Sequence, residues 1–192
     1  MVTRMQPLEL GRLVKNLVES TASFVSHRGT ALTCEVPEQL CVVNGDAMRL
    51  EELIMILLSN ALSHTSAEGH IHVALRQEGG RFCLTVEDSG SGMSPGELSY
   101  AFSLRENAAP GDAVSGAGLG LYIAQGIARL HGGTVLLRSR PGQGTKLLVS
   151  LPSARECSFH DDAFSPAIGP ERILTELADL LPNEMYDRKY RD

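Results

Sequence analysis

Three groups of residues have types and spacings suited to chemistry. The first is Asn60, in Leu57-Leu58-Ser59-Asn60-Ala61, an amide side chain within an apolar run. An amide there costs free energy unless it is paired. Its carbonyl oxygen is a hard ligand, suited to Mg2+ beside phosphate. The second is Asp88-Ser89-Gly90-Ser91-Gly92, a D-x-G-x-G that ends an alternating run. A carboxylate at a strand end can accept a hydrogen bond from an exocyclic amine, and Gly90 and Gly92 would let the backbone approach a flat ring. The third is Gly116-Ala117-Gly118-Leu119-Gly120-Leu121, which opens a helix. A helix N-terminus offers free N–H groups and a positive dipole end to an anion. Taken singly, each has a plainer reading: a local hydrogen bond, a turn, a helix entry. In this order they describe a magnesium oxygen, a purine pocket and a phosphate cradle, which together make a nucleotide site.

The elements that must position these residues follow from periodicity. Leu10, Leu13, Val14, Leu17, Thr21, Phe24 and Val25 repeat as one buried helical face, predicting a helix over 8–27 that Gly29 can end. Ala31–Val36 and Leu40–Val43 are short strand candidates. Asn44-Gly45 makes a turn, Asp46 is a suitable N-cap, and a second helix runs over 47–64 with Leu50, Leu53, Ile54, Leu57 and Ala61 inward. The alternating runs 70–78 and 81–87 flank Gly79-Gly80, a hairpin. From Asp88 to Gly120 periodicity dissolves into glycine- and proline-rich sequence. So long a loop inside a domain is usually functional. A third helix spans 121–130. A second hairpin, 133–140 with 145–151, turns at Pro141-Gly142-Gln143-Gly144, and the core ends near Pro152. No internal repeat is visible.

Composition narrows the function classes. The 192 residues suit one domain with an appendage. The longest apolar run, 53–58, falls far short of the about 20 residues that span a membrane, and no signal peptide is visible at the N-terminus. Net charge is −6, a poor match to nucleic acid. Residues 153–192 carry 9 acids and 5 bases, an acidic tail on a nearly neutral body. The four cysteines, Cys34, Cys41, Cys83 and Cys157, form no C-x-x-C or zinc spacing. They read as reduced and packed, which fits the cytoplasm.

With these motifs in place, residues 8–152 resemble the catalytic and ATP-binding domain of sensor histidine kinases. That domain shares a superfamily with type II topoisomerase ATPase subunits, a heat-shock chaperone class and mismatch-repair ATPases. Leu57–Thr65 resembles the N box, Asp88–Gly92 the first glycine box, the surroundings of Phe102 the phenylalanine box, Gly116–Leu121 the second glycine box and Gly142–Thr145 the last. The resemblance implies an α/β two-layer sandwich, a mixed sheet with three helices packed on one face. It implies ATP and Mg2+ as cofactors. Asn60 would hold Mg2+ and Asp88 the adenine amino group, with Gly90 and Gly92 shaping the pocket and Thr145 supporting Asp88. The segment Gly116, Gly118, Leu119, Gly120 and Leu121 would hold the phosphates. A mobile lid, roughly Met93–Ser115, would carry Phe102 and Arg105, the latter a candidate γ-phosphate contact. His64 could contact phosphate, or could equally face solvent or cap its helix.

Two departures bear on activity. Ile56 stands four residues before Asn60, where hydrolysing members carry a Glu that activates water. Ser63 stands where kinases often have a Lys. None of the six histidines has the helical context and neighbouring acid of the family's phosphoacceptor. The resemblance therefore implies a histidine-bearing helical dimerisation domain as partner, a response regulator further downstream, and no nucleic-acid or direct membrane partner. A serine kinase of the anti-sigma-factor type and a non-catalytic nucleotide sensor share the same boxes. The expected organisation is a catalytic domain over 1–152, a linker over 153–169 and a helical tail over 170–192. In that tail Ile173, Leu174, Leu177, Leu180 and Leu181 make an apolar stripe between Pro170 and Pro182.

Overall fold

A computed structural model describes residues 4–103 and 119–154. The expected linker, helical tail and Cys157 lie outside the described residues, as do Arg105, Gly116 and Gly118. Strand β1 (Gln6–Glu9) leads into helix α1 (Leu10–His27), followed by β2 (Ala31–Glu35), β3 (Val42–Gly45) and α2 (Ala47–His64). Then come β4 (His70–Glu78), β5 (Arg81–Asp88), the short α3 (Pro95–Tyr100), α4 (Leu119–Leu130), β6 (Thr134–Ser139) and β7 (Thr145–Pro152).

The main sheet has the order β2-β4-β5-β7-β6, parallel only between β2 and β4. It is the expected mixed sheet. Helices α1, α2 and α4 pack on one face, and no helix among the described residues covers the other, giving two layers. Strand register explains where the core sits. Leu75, Leu84, Val149 and Val135 form one cross-strand row, and Val73, Val86, Leu147 and Leu137 the next. Both rows face the helices and are buried, apart from Leu137, which is half-buried. The row beyond them is Ile71, Asp88, Thr145 and Ser139. One face of the sheet thus runs from hydrocarbon into a polar end row.

Local signals account for most boundaries. Gly79 and Gly80 take φ of 57° and 74°, the left-handed pair that a two-residue hairpin turn requires. The Asp46 side chain accepts from the Arg49 N–H at 3.3 Å and caps α2.

Five expectations are corrected. A strand, β1, precedes α1 and pairs with β3 as a separate two-stranded sheet, so the helix starts at Leu10 and not at 8. Its N-cap is Glu9, whose carboxylate takes the N–H groups of Gly11, Arg12 and Cys41. Strand β3 begins at Val42, leaving Leu40 outside it and exposed. The stretch expected to be irregular contains α3, whose Ser94 and Glu97 form a reciprocal capping box with Pro95 at the first turn. Helix α4 begins at Leu119, two residues early. Among the described cysteines only Cys41 is buried: Cys83 is half-buried and Cys34 is exposed, so the expected packing holds for one of these three. Burial and the nearby Glu9 push the Cys41 thiol up to about 11.

Candidate functional site

Asp88 is built into the core by parity. Phe82, Leu84 and Val86 point inward from β5, so Asp88 does too, and it is only 4% exposed. Its Oδ1 accepts from the Gly90 N–H at 2.8 Å and the Thr145 N–H at 3.3 Å. Oδ2 accepts nothing from the described residues. Burial raises the Asp88 pKa, the two backbone N–H groups and nearby His64 pull it down, and Glu87 adds to the rise. The site therefore holds a desolvated carboxyl with one oxygen pinned and the other available to a donor.

Helix α2 supplies the second wall. Ile56, Asn60 and His64 recur every fourth residue, a half-buried stripe beside the fully buried core face. The two ends of this stripe are located by glycines. A Cβ on Gly120, in the first turn of α4, would lie 3.3 Å from Ile56 Cγ2. A Cβ on Gly90 would run into the His64 carbonyl, and the Ser91 N–H donates to that carbonyl at 3.3 Å. Asn60 thus stands midway between the helix entry at Gly120 and the loop after Asp88. Its Nδ2 is buried and has no hydrogen-bond partner among the described residues. Turning the amide by half a rotation puts Oδ1 there instead, with equal freedom to bind.

This orphaned amide fits a Mg2+ ligand. No group of three or more His, Cys, Asp or Glu suited to a metal occurs among the described residues. A cation here would rest on one protein oxygen, with phosphate and water completing its shell, the usual arrangement for Mg2+.

The glycines of the first box serve a purpose the sequence did not reveal. Their missing side chains make room for the chain's own carbonyls: His64 at Gly90, and Arg140 at Gly92, whose φ is 64°. The first and last glycine boxes are also tied together, the Gly142 N–H donating to the Ser91 carbonyl at 2.6 Å. Thr145 supports Asp88 through its backbone N–H, while its hydroxyl lies 2.9 Å from Ser139 Oγ.

Met93, Ala101 and Phe102 pack against the core, so the expected lid is anchored at its start and again at Ala101-Phe102. His64 lies near enough to Glu97 of α3 to help lower that carboxyl's pKa, after the Ser94 backbone and hydroxyl hydrogen bonds. Leu121 is buried and Leu119 is exposed at the head of α4. Ser139 escaped notice in the sequence. Its signal was parity, since Val135, Leu137 and Ser139 share one face of β6.

The profile of the histidine kinase-, DNA gyrase B- and HSP90-like ATPases matches residues 45–155, more than half of the chain. The chain belongs to this ATPase family. Among curated relatives, it is 36% identical over 155 residues to the alginate biosynthesis sensor protein KinB of Pseudomonas aeruginosa, covering 78% of this chain and 26% of that protein. It is 32% identical over 148 residues to the sensor histidine kinase ZraS of Klebsiella oxytoca, covering 77% and 31%. The chain thus spans roughly a quarter to a third of these relatives. Among solved structures, the catalytic domain of histidine kinase ThkA superposes with a TM-score of 0.68 at 20% identity, covering 78% of this chain and 95% of that one. Full-length ShkA in complex with AMPPNP superposes at 0.69 and 23% identity, covering 82% and 33%. At these identities the likeness is one of fold, the two-layer sandwich of this ATPase family.

Proposed function

We propose that this ATPase-family domain binds Mg-ATP as the catalytic domain of a two-component sensor histidine kinase. It transfers the γ-phosphoryl group to a histidine on a helical dimerisation domain, from which a response regulator is served. The observation that carries the reading is Asp88: a buried carboxylate, one oxygen pinned by two N–H groups, the other unbonded among the described residues. An adenine amine supplies the donor it lacks.

The remaining residues follow from that anchor. Asn60 would hold Mg2+, which neutralises phosphate charge. Gly120 and the first turn of α4 offer N–H groups and a positive dipole end to the phosphates, alongside Gly116 and Gly118. Arg105 is a further phosphate contact in this reading. Transfer needs alignment and charge neutralisation more than covalent help from the protein. A ring nitrogen of the acceptor histidine bonds to the γ-phosphorus as the bond to the bridging oxygen breaks and ADP leaves. The imidazole proton passes to an acid beside that histidine. No helix among the described residues is long and apolar enough to cross a membrane; the cytoplasmic setting is part of this proposal.

Incubation with γ-labelled ATP and a supplied histidine-bearing hairpin domain tests the proposal. Acid-labile, alkali-stable label on the hairpin supports it, and the reverse lability indicates a serine kinase. A second reading, nucleotide sensing without catalysis, is favoured by the apolar Ile56 beside Gly120 and by Ser63, whose hydroxyl is spent on the Ser59 carbonyl at 2.7 Å. ATP binding with no label transferred would select it.

A further inference from the structure

Ser139 closes β6 at the polar end row of the sheet, nearly buried, with three partners on one oxygen. The Met93 N–H donates to Oγ at 2.8 Å. The Gly144 carbonyl lies 2.8 Å away and Thr145 Oγ1 2.9 Å away. A serine hydroxyl has one proton and two lone pairs. The carbonyl can only accept, so the Ser139 proton goes to Gly144. The Thr145 hydroxyl must then donate to Ser139. Every valence of Oγ is used, and the direction of each bond is determined.

Each partner matters to the adenine pocket. Thr145 carries the N–H that holds Asp88 Oδ1, at 3.3 Å the longer of that oxygen's two bonds. Gly144 runs so close to the Asp88 carbonyl that an added Cβ would collide with it. Met93 opens the segment leading to α3 and Phe102. Two chain segments, the one opening at Met93 and the Gly144-Thr145 run, therefore meet on the hydroxyl that ends β6, and the second of them touches Asp88.

We propose that Ser139 is a positioning residue for purine recognition: its hydroxyl locks Thr145 behind Asp88 and ties the segment starting at Met93 to the same point. It acts through Asp88 and never meets the nucleotide. The proposal rests on Asp88 being the adenine anchor, as put forward above.

The test has two readouts. The first is the Asp88 carboxyl titration, followed by side-chain 13C NMR in the nucleotide-free protein. The second is the Kd for ATP by calorimetry. Ser139→Ala should raise the Asp88 pKa, because the Thr145 N–H that lowers it loses its support. It should also weaken ATP binding about three- to tenfold, the worth of one hydrogen bond. Thr145→Val removes the same link from the other side and serves if Ser139→Ala does not fold. The double variant should then be no worse than the stronger single one. A folded Ser139→Ala or Thr145→Val protein with an unchanged Asp88 titration overturns the proposal, whatever its ATP affinity. If Asp88→Asn leaves ATP binding intact, the nucleotide reading fails instead, and the titration still decides whether Ser139 positions Asp88.

Discussion

Replacing Asp88 by Asn changes one atom and almost no volume. The N–H groups of Gly90 and Thr145 can only donate, so an asparagine must turn its carbonyl oxygen toward them. Its NH2 then takes the place of Oδ2 and offers a donor where the carboxylate offered an acceptor. The adenine amine, also a donor, meets it head on. Losing a hydrogen bond to a charged group costs about 1.5–3 kcal/mol, roughly a 10- to 150-fold loss of ATP affinity. Guanine carries a carbonyl oxygen at that ring position, so the variant's preference for ATP over GTP should narrow or invert. Without nucleotide the effect has the opposite sign. Burial raises the Asp88 pKa, so the fold binds that proton more tightly than the unfolded chain does. The associated stability is present below the unfolded pKa and lost as pH rises through the folded one. A neutral asparagine avoids this loss, so the free variant should melt at or above the wild-type temperature at neutral pH. Calorimetry with non-hydrolysable ATP and GTP analogues, beside thermal melts, reads both effects. A variant that binds the ATP analogue like the wild type, or a wild type indifferent to the base, would refute the reasoning.

Three further outcomes are expected. Ile56 cannot activate water, so the chain should hydrolyse ATP negligibly; steady turnover that survives repurification and disappears in Asn60→Ala would contradict this. Asp46→Ala should cost about 0.5–2 kcal/mol in denaturant melts through the lost α2 cap. Partial burial, the largest single influence on Asp46, raises its pKa, yet hydrogen bonds from the Arg4, Arg49 and Met48 backbones bring it below the ordinary carboxylate value. That stability is present above the unfolded pKa and lost as pH falls through the folded one. The gap between variant and wild type should therefore shrink in acid, and a pH-independent gap would show that the charge is irrelevant. Gly92→Ala combines a φ of 64° with a collision at the Arg140 carbonyl; it should cost about 1–3 kcal/mol or more, and an unchanged urea midpoint would rule out the close approach.

Much of this fold was legible because its signals are local. The buried faces of α1 and α2, the alternation of β4 and β5 and the glycine pair between them each lie within a few residues. The box order led to the ATPase family. What stayed hidden depends on distant partners or unusual caps. Strand β1 is four residues long and exists through β3, about 36 residues away. The cap of α1 is a glutamate reaching three N–H groups, where serine, threonine or aspartate is the usual sign. Helix α3 is different: its Ser94-Pro95-Gly96-Glu97 signature is local, yet it stands amid glycine-rich sequence that as a whole reads as irregular. The strand order β2-β4-β5-β7-β6 follows from no pattern along the chain, and the resemblance implied only a mixed sheet.

The site divides along the same line. Asp88 follows Phe82, Leu84 and Val86 in strict alternation, so a carboxylate directed into hydrocarbon could be read from β5 alone. That fact by itself is an unfavourable one, since burial disfavours its charge. Its partner Thr145 lies 57 residues onward, and the hydroxyl behind Thr145 belongs to β6. Only the cross-strand row joining β5, β7 and β6 shows that the cost is contained. One carboxylate oxygen is held by two N–H groups, and Ser139 holds the second of those donors in place. The other oxygen stays unbonded among the described residues, so the free protein retains a desolvation cost that a donor on a ligand would relieve. Fully satisfying Asp88 from within the fold would stabilise the free domain and leave it nothing with which to distinguish adenine.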